Sequence, residues 1–394
     1  MNICFCTHRL PYPPVAGGKR ETFKLVECLG SEGHTVDLVT YADDQDRVAS
    51  MEDAVDCTVH AVPGLPDRTP TNLLRNVVSR DPLPVMKADT TQYRGTARRQ
   101  AEDADVTHLH ALQTSFLAAD DAVPTPTVVR FNNVKYEIYR QFARFTDNPA
   151  KAAYAYLQWY KSRGYERAVP AESELTLAIT QEDRKRLNPS EHDARIDVLP
   201  AGVDPSEFDL LAHDTESTVV TFFGSMDYHP NEDAVLWFVE SILPSIRERR
   251  PDVTFEIVGK NPSRDVQDLD KRDAVRVTGF VDDIGEHVAR AAVVVLPIRV
   301  GTGIRMKALH AMAMGKPLVS TPLGVQGIDS VDGEHLLLAE ESGAFAQAVL
   351  DLLADGAQQN SYRQSARELV ERDHDWTIIA DRLEEFYQGV VADV

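Results

Sequence analysis

Short apolar runs alternate with helix-patterned stretches along nearly the whole chain. NICFCT, at the start, reads as a buried strand that runs into the Gly- and Pro-rich loop LPYPPVAGGKR. In ETFKLVECLGSEG the apolar Phe23, Leu25, Val26 and Leu29 recur at helical spacing, with Gly30 and Gly33 near the helix end. HTVDLVTY is the next strand, and the same signal returns in DVTHLHAL, PTPTVVRF, ELTLAIT and RIDVLP. Strands alternating with helices predict a parallel α/β sheet.

Residues 148–168 break the rhythm with a helical pattern rich in Tyr, holding Trp159 and several cations. Packing against the N-terminal domain is the favoured reading, with an amphipathic membrane-surface helix as its rival. After RIDVLP, the stretch PAGVDPSEFDLLAHDTES carries Pro, Gly and acids with little periodicity, which marks a domain boundary. The pattern then restarts with STVVTFFG, the helix AVLWFVESILPSIRERR and the strands TFEIVG, VRVTGF and AAVVVLPI. MKALHAMAMG is a helix ended by Gly315, KPLVST a further strand and WTIIADRLEEFYQGVV a terminal helix. The expected fold is α/β, with two doubly wound Rossmann-like domains, 1–203 and 204–375, facing across a cleft. Residues 376–394 then form a terminal helix that packs back toward the first domain. In such sheets ligands bind beyond the carboxyl ends of the strands, so the loops leaving strands carry the chemistry.

A chain of 394 residues exceeds what one ordinary core fills, in keeping with two domains. The 62 acidic residues against 41 basic ones, net −21, repel phosphate backbones and disfavour nucleic-acid binding. The acids are scattered, as in Asp43, Asp44 and Asp46, so they read as a solvated surface; a salt-rich, halophilic cytosol is one explanation. No apolar stretch approaches the roughly 20 residues that cross a bilayer, and the first residues lack a basic leader before an apolar run. These features predict a cytoplasmic protein that works in solution or at the inner membrane face. Cys4 and Cys6 would share one strand face and read as core thiols, with no metal spacing around them.

Two loops stand out. Gly17, Gly18, Lys19 and Arg20 lie just ahead of a helix, where paired glycines admit backbone N–H groups to a phosphate; a tight turn explains them equally well. The loop is neither a Walker motif nor GxGxxG. Residues 296–321, LPIRVGTGIRMKALHAMAMGKPLVST, join a strand end, a Gly301-Thr302-Gly303 turn, the cations Arg305 and Lys307 and a small-residue helix, which together form a second loop-to-helix anion site.

This segment resembles the nucleotide-sugar signature of the retaining group 1 glycosyltransferases of GT-B fold, whose helix reads roughly Glu-Ala-Met-Ala-x-Gly-x-Pro-Val. Here it is His310-Ala-Met-Ala-Met-Gly315-Lys-Pro317-Leu. The resemblance extends through Val198-Leu-Pro-Ala-Gly202-Val-Asp204, Phe223-Gly-Ser-Met-Asp-Tyr-His-Pro-Asn231, Ile257-Val-Gly259 and Val277-Thr-Gly279-Phe. Leu10-Pro-Tyr-Pro-Pro with Gly17-Gly18 is similar to the sugar transferases of exopolysaccharide and exosortase systems.

The resemblance implies roles at the matched positions. Domain 1–203 would be the acceptor side and 204–375 the nucleotide-sugar side. Gly17 and Gly18 would hold the donor diphosphate from the N-terminal side, Thr302, Gly303, Arg305 and Lys307 would cradle it from the other, and Gly224 and Ser225 would also bind the donor. Val281 and Asp282 would lie beside the base, and His110 near the transferred sugar. Asn132 and Asn133 would face the acceptor. Asp282 and Asp283 read equally as a helix N-cap and its neighbour. Thr302 and His310 stand where the family often has Glu, and Ser225 and Asn231 where it has Arg and Lys. His310 would meet the ribose with a single acceptor in place of a carboxylate. The implied reaction is metal-independent transfer with retention, from a UDP- or GDP-sugar to a glycan or lipid-linked acceptor, with no cofactor and with room for peripheral membrane contact. A nucleotide-sugar epimerase and a non-catalytic scaffold partner are the rival readings.

Overall fold

The computed structural model describes residues 1–394 apart from 15–16, 67–68, 120–121, 147, 189–193, 209–215, 302 and 394. The chain forms two compact units, Met1–Ala201 with Trp376–Val394, and Gly202–Asp375. The division falls two residues before the break at 203/204 read from the sequence.

The first unit holds β1 (Asn2–Cys6), β2 (Thr35–Tyr41), β3 (Thr58–Val62), β4 (Val106–His110), β5 (Thr127–Arg130), β6 (Leu175–Ala178) and β7 (Ile196–Val198). They form one parallel sheet in the order β3-β2-β1-β4-β5-β6-β7. Apolar residues on both faces of β1, β4 and β5 are buried, which explains their near-continuous hydrophobic runs. β3 is an edge strand with mostly part-exposed positions, and its short TVHAV run carries no strong strand signal. The second unit holds β8 (Glu216–Phe223), β9 (Thr254–Val258), β10 (Val275–Gly279), β11 (Ala291–Leu296), β12 (Leu318–Ser320) and β13 (Leu337–Leu338), in the parallel order β10-β9-β8-β11-β12-β13. Two residues of β13 are too few to register in a sequence pattern.

Three of the helical regions bear on the sequence reading. Trp376–Ala392 inserts Trp376, Ile379, Leu383, Tyr387 and Val390 into the core that holds Ile3, Phe5 and Leu25, so the end of the chain completes the first unit. Pro149–Glu172 packs through Ala155, Gln158, Ser162, Glu166 and Val169, leaving Tyr160 73% exposed. The single helix read over AVLWFVESILPSIRERR divides into His229–Trp237, a wider π turn Phe238–Ile242 and Leu243–Arg249. Pro244, which has no N–H to donate, sits at the start of the last piece. No helix among the described residues is long and apolar enough to cross a membrane.

Strand order reverses between β1 and β4 in the first sheet, and between β8 and β11 in the second. A ligand crevice opens at such a reversal, beyond the carboxyl ends of the strands. The loops that follow these four strands carry nearly all the candidate residues.

Candidate active site

In the first unit His110 is the last residue of β4, and only 2% of its surface is exposed. The next residue, Ala111, has φ +73°, a left-handed conformation that a side chain rarely adopts and that concentrates at functional turns. His110 Nε2 lies 3.1 Å from Asn132 Nδ2, which lies 2.9 Å from Glu21 Oε2. An ionised carboxylate only accepts, so the Asn132 group facing it is the amide N–H₂, and this donates to His110 Nε2 as well. His110 is thereby the Nδ1–H tautomer. Its Nδ1 lies 3.3 Å from His108 Nε2, and His108 Nδ1 lies 2.7 Å from the Tyr387 hydroxyl. Burial holds both imidazoles well below their ordinary pKa, helped by the Arg130 charge and, for His110, by His108 and His8. His110 is thus a neutral, oriented ring at pH 7.

Glu21 anchors this arrangement. Its other oxygen accepts from Arg130 Nη2 at 2.7 Å, and Arg130, fully buried at the end of β5, also donates to the Pro200 carbonyl at 3.1 Å. Glu21 lies just past the first turn of the helix Gly17–Ser31, the turn that begins with Gly17 and Gly18. A side chain at Gly18 would meet nothing within 4 Å, which leaves its backbone open to a ligand. Lys19 donates to the Tyr12 carbonyl at 3.3 Å, and Asn133 is half-buried beside Asn132.

In the second unit the loop after β11 turns through Gly301 and Gly303 at positive φ into the helix Met306–Ala313. Arg305, 8% exposed, sits at the N-cap, and an added Cβ at Gly301 would come 2.4 Å from Arg305 Nη2. Lys307 turns its ammonium inward, donates to Asn231 Oδ1 and lies 4.5 Å from the centre of the Phe222 ring. Burial, and then the Arg305 charge, lower its pKa to about 7. Gly224, directly after β8, has φ +151°, and a Cβ there would stand 2.8 Å from both Lys307 Nζ and Asn231 Nδ2. The positive φ favours glycine here, and a Cβ would displace the lysine or the asparagine. Asn231 Nδ2 in turn donates to the Ser225 carbonyl at 2.8 Å, and the Ser225 hydroxyl donates to Asp227 Oδ1 at 2.6 Å. The structure therefore gathers Gly224, Ser225, Gly303, Arg305 and Lys307 at one switch point. Thr302 lies outside the described residues.

The family model for group 1 glycosyl transferases matches residues 217–355, and that for the glycosyl transferase 4-like domain matches residues 16–202. The chain is a group 1 glycosyltransferase. Among its relatives is an uncharacterized 44.6 kDa protein of the cps region of Klebsiella pneumoniae, 20% identical over 86% of this chain and 88% of that protein. A phosphatidyl-myo-inositol mannosyltransferase of Mycobacterium leprae is 30% identical over 49% of the chain, and the match spans 53% of the mannosyltransferase. The GT-B fold is shared with sucrose-phosphate synthase of Thermosynechococcus elongatus, with TM-score 0.72, 15% identity and all of both chains covered. It is also shared with the HepE protein of Anabaena, solved with UDP and glucose, with TM-score 0.64, 14% identity and coverage of 98% and 99%.

The remaining signature positions of the second unit also have defined places. Val281 packs against the core of the second unit, and Asp283 is the N-cap of Ile284–Arg290, accepting from the Gly285 N–H at 2.7 Å, with Asp282 as its neighbour. His310 sits on the helix Met306–Ala313 with its ring centre 5.9 Å from that of Phe208. Sequence reasoning passed over Glu21, Arg130, His108 and Tyr387. Arg130 alone left a trace, as a charge ending an apolar run; Tyr387 enters from a helix more than two hundred residues away, which no local pattern reveals.

Proposed function

We propose that the chain transfers a sugar from a nucleotide-sugar donor to a glycan or lipid-linked acceptor, with retention at the anomeric carbon and without a metal. The observation that carries this reading is the pair Arg305 and Lys307, with Gly301 close against the guanidinium and Gly224 against the ammonium, where burial and then the Arg305 charge make it costly for Lys307 to hold its proton. A bound diphosphate relieves that repulsion, and two oriented cations stabilise the charge that grows on it as the sugar departs. Loop N–H groups at the helix start add to the same field. Since the HepE structures hold UDP and UDP-glucose, UDP-sugars are the first donors to test.

Retention is supported by the surroundings of His110. Glu21 is the carboxylate bound into the His110–Asn132 group, and Arg130 and Asn132 occupy one oxygen each. His110 Nε2 is covered by Asn132. The group thus offers no ready base for a back-face attack, which favours proton transfer from the acceptor to the departing phosphate on the front face. In the first unit His110 and Asn132 then serve the sugar and acceptor, and in the second His310 serves the ribose.

The test is incubation with UDP- and GDP-sugars alone, and then with glycan and lipid extracts. Transfer that needs an acceptor, keeps the donor's anomeric configuration and persists in EDTA is the expected result. A changed free donor indicates an epimerase, and nucleotide binding without turnover a scaffold. Loss of activity in EDTA that manganese restores overturns the metal-free reading.

A further inference from the structure

A cavity of about 240 Å³ opens at the carboxyl ends of β1 and β4 in the first unit. His8 and Arg9 reach it from the loop after β1, Gln113 from the turn after β4, Lys87 from the helix Leu83–Ala88 and Lys135 from the start of Lys135–Phe145. Among the described residues no carboxylate lines it, in a chain where acids outnumber bases 62 to 41. Lys135 follows the Asn132-Asn133 turn, so the cavity adjoins the group built around His110.

Two buried polar atoms on its lining residues, His8 Nδ1 and Gln113 Oε1, have no hydrogen-bond partner among the described residues. Such atoms in a native fold call for a partner, since burial without one is costly. Gln113 Nε2 lies 3.3 Å from His8 Nε2. With the amide donating there, His8 carries its proton on Nδ1, which becomes a donor, while Gln113 Oε1 accepts. Burial, then Arg9, Lys135 and Lys87 in that order, hold the His8 imidazole down to about 3, as expected beside a strongly positive space.

We propose that the acceptor bears a phosphate or diphosphate, and that Arg9, Lys87 and Lys135 seat it in this cavity, with His8 Nδ1–H donating to an oxygen and Gln113 Oε1 accepting from a neighbouring hydroxyl. This rests on the transferase reading above, and it narrows the acceptor to a phosphorylated sugar, a polyol phosphate or a phosphate-bearing lipid. The three cations suit such a group because they supply charge and several donors at once, where one carboxylate would leave donors unmet.

The test uses the full chain. Glycerol 3-phosphate is titrated by calorimetry, flotation is measured with phosphatidylcholine vesicles with and without phosphatidic acid, and UDP affinity is read alongside. Arg9→Gln and Lys135→Gln, singly and together, are compared at matched melting temperatures. Each change should weaken glycerol 3-phosphate about tenfold, and high salt should weaken it further, while UDP affinity stays constant. Loss confined to the soluble probe marks a free phosphate ester as the source, and matching loss of flotation marks a lipid. The proposal falls if neither probe binds the wild type, if the double variant binds like wild type, or if UDP affinity drops in step, which assigns the cavity to the donor. Sugar transfer without phosphate binding overturns this proposal alone; phosphate binding without sugar transfer overturns the transferase reading.

Discussion

The Asn132 amide nitrogen lies 3.1 Å from His110 Nε2. The ring's tautomer therefore depends on a neighbour that Glu21 orients, and not on the pH of the solution. Nitrogen NMR should find His110 neutral with its proton on Nδ1 across about pH 5 to 8. Asn132→Leu should remove that bias and lower kcat on the order of 10- to 100-fold, with the nucleotide Kd nearly unchanged. A protonated His110 in this window contradicts the assignment. Because folding depresses the pKa of His110, the unfolded chain binds the extra proton, so stability should decline as pH falls below about 6.5.

Gly224 makes a separate prediction. Gly224→Ala places a methyl group on Lys307 and Asn231 and forces a side chain into a positive φ. The second unit should lose about 1–3 kcal/mol of stability, seen as a lower denaturant midpoint, together with nucleotide affinity. An unchanged midpoint with full binding would mean that the strand end shifts freely.

The parallel sheets were legible because strands buried on both faces leave apolar runs, and the loops after β8 and β11 because Gly224, Gly301, Gly303, Arg305 and Lys307 are local in sequence. What escaped was assembled over distance. Glu21 looks like an ordinary helix-surface acid until Arg130 and Asn132 meet it, and Tyr387 looks like a core aromatic until it reaches His108. Edge strand β3 escaped because half-exposed positions blur its period.

Lys307 should report ligand binding through protons. With its pKa lowered to about 7, the free protein is largely uncharged there at pH 8, and a diphosphate should restore the charge. Calorimetry of UDP at pH 8 in buffers of different ionisation enthalpy should show proton uptake that is absent in Lys307→Met. The same depression means that the unfolded chain holds the extra proton between about pH 7 and 10, so this group's contribution to stability rises with pH across that window.

The net charge of −21 repels itself at low ionic strength. Melting temperature should climb from dilute buffer to molar potassium chloride as the charges are screened. A flat series removes the salt-adapted reading and leaves the chemistry untouched.

The central claim is that Arg305 and Lys307 hold the donor's diphosphate, and nucleotide affinity tests it most directly. Wild type, Lys307→Ala and a surface control such as Lys271→Ala are titrated with UDP and GDP by calorimetry, with kcat/KM measured for whichever donor is used. Lys307→Ala should bind the nucleoside diphosphate far more weakly and lose roughly 10²-fold or more in kcat/KM, while still melting cooperatively, and the control should match wild type. If Lys307→Ala binds and turns over like wild type, the diphosphate is held elsewhere and the account is wrong.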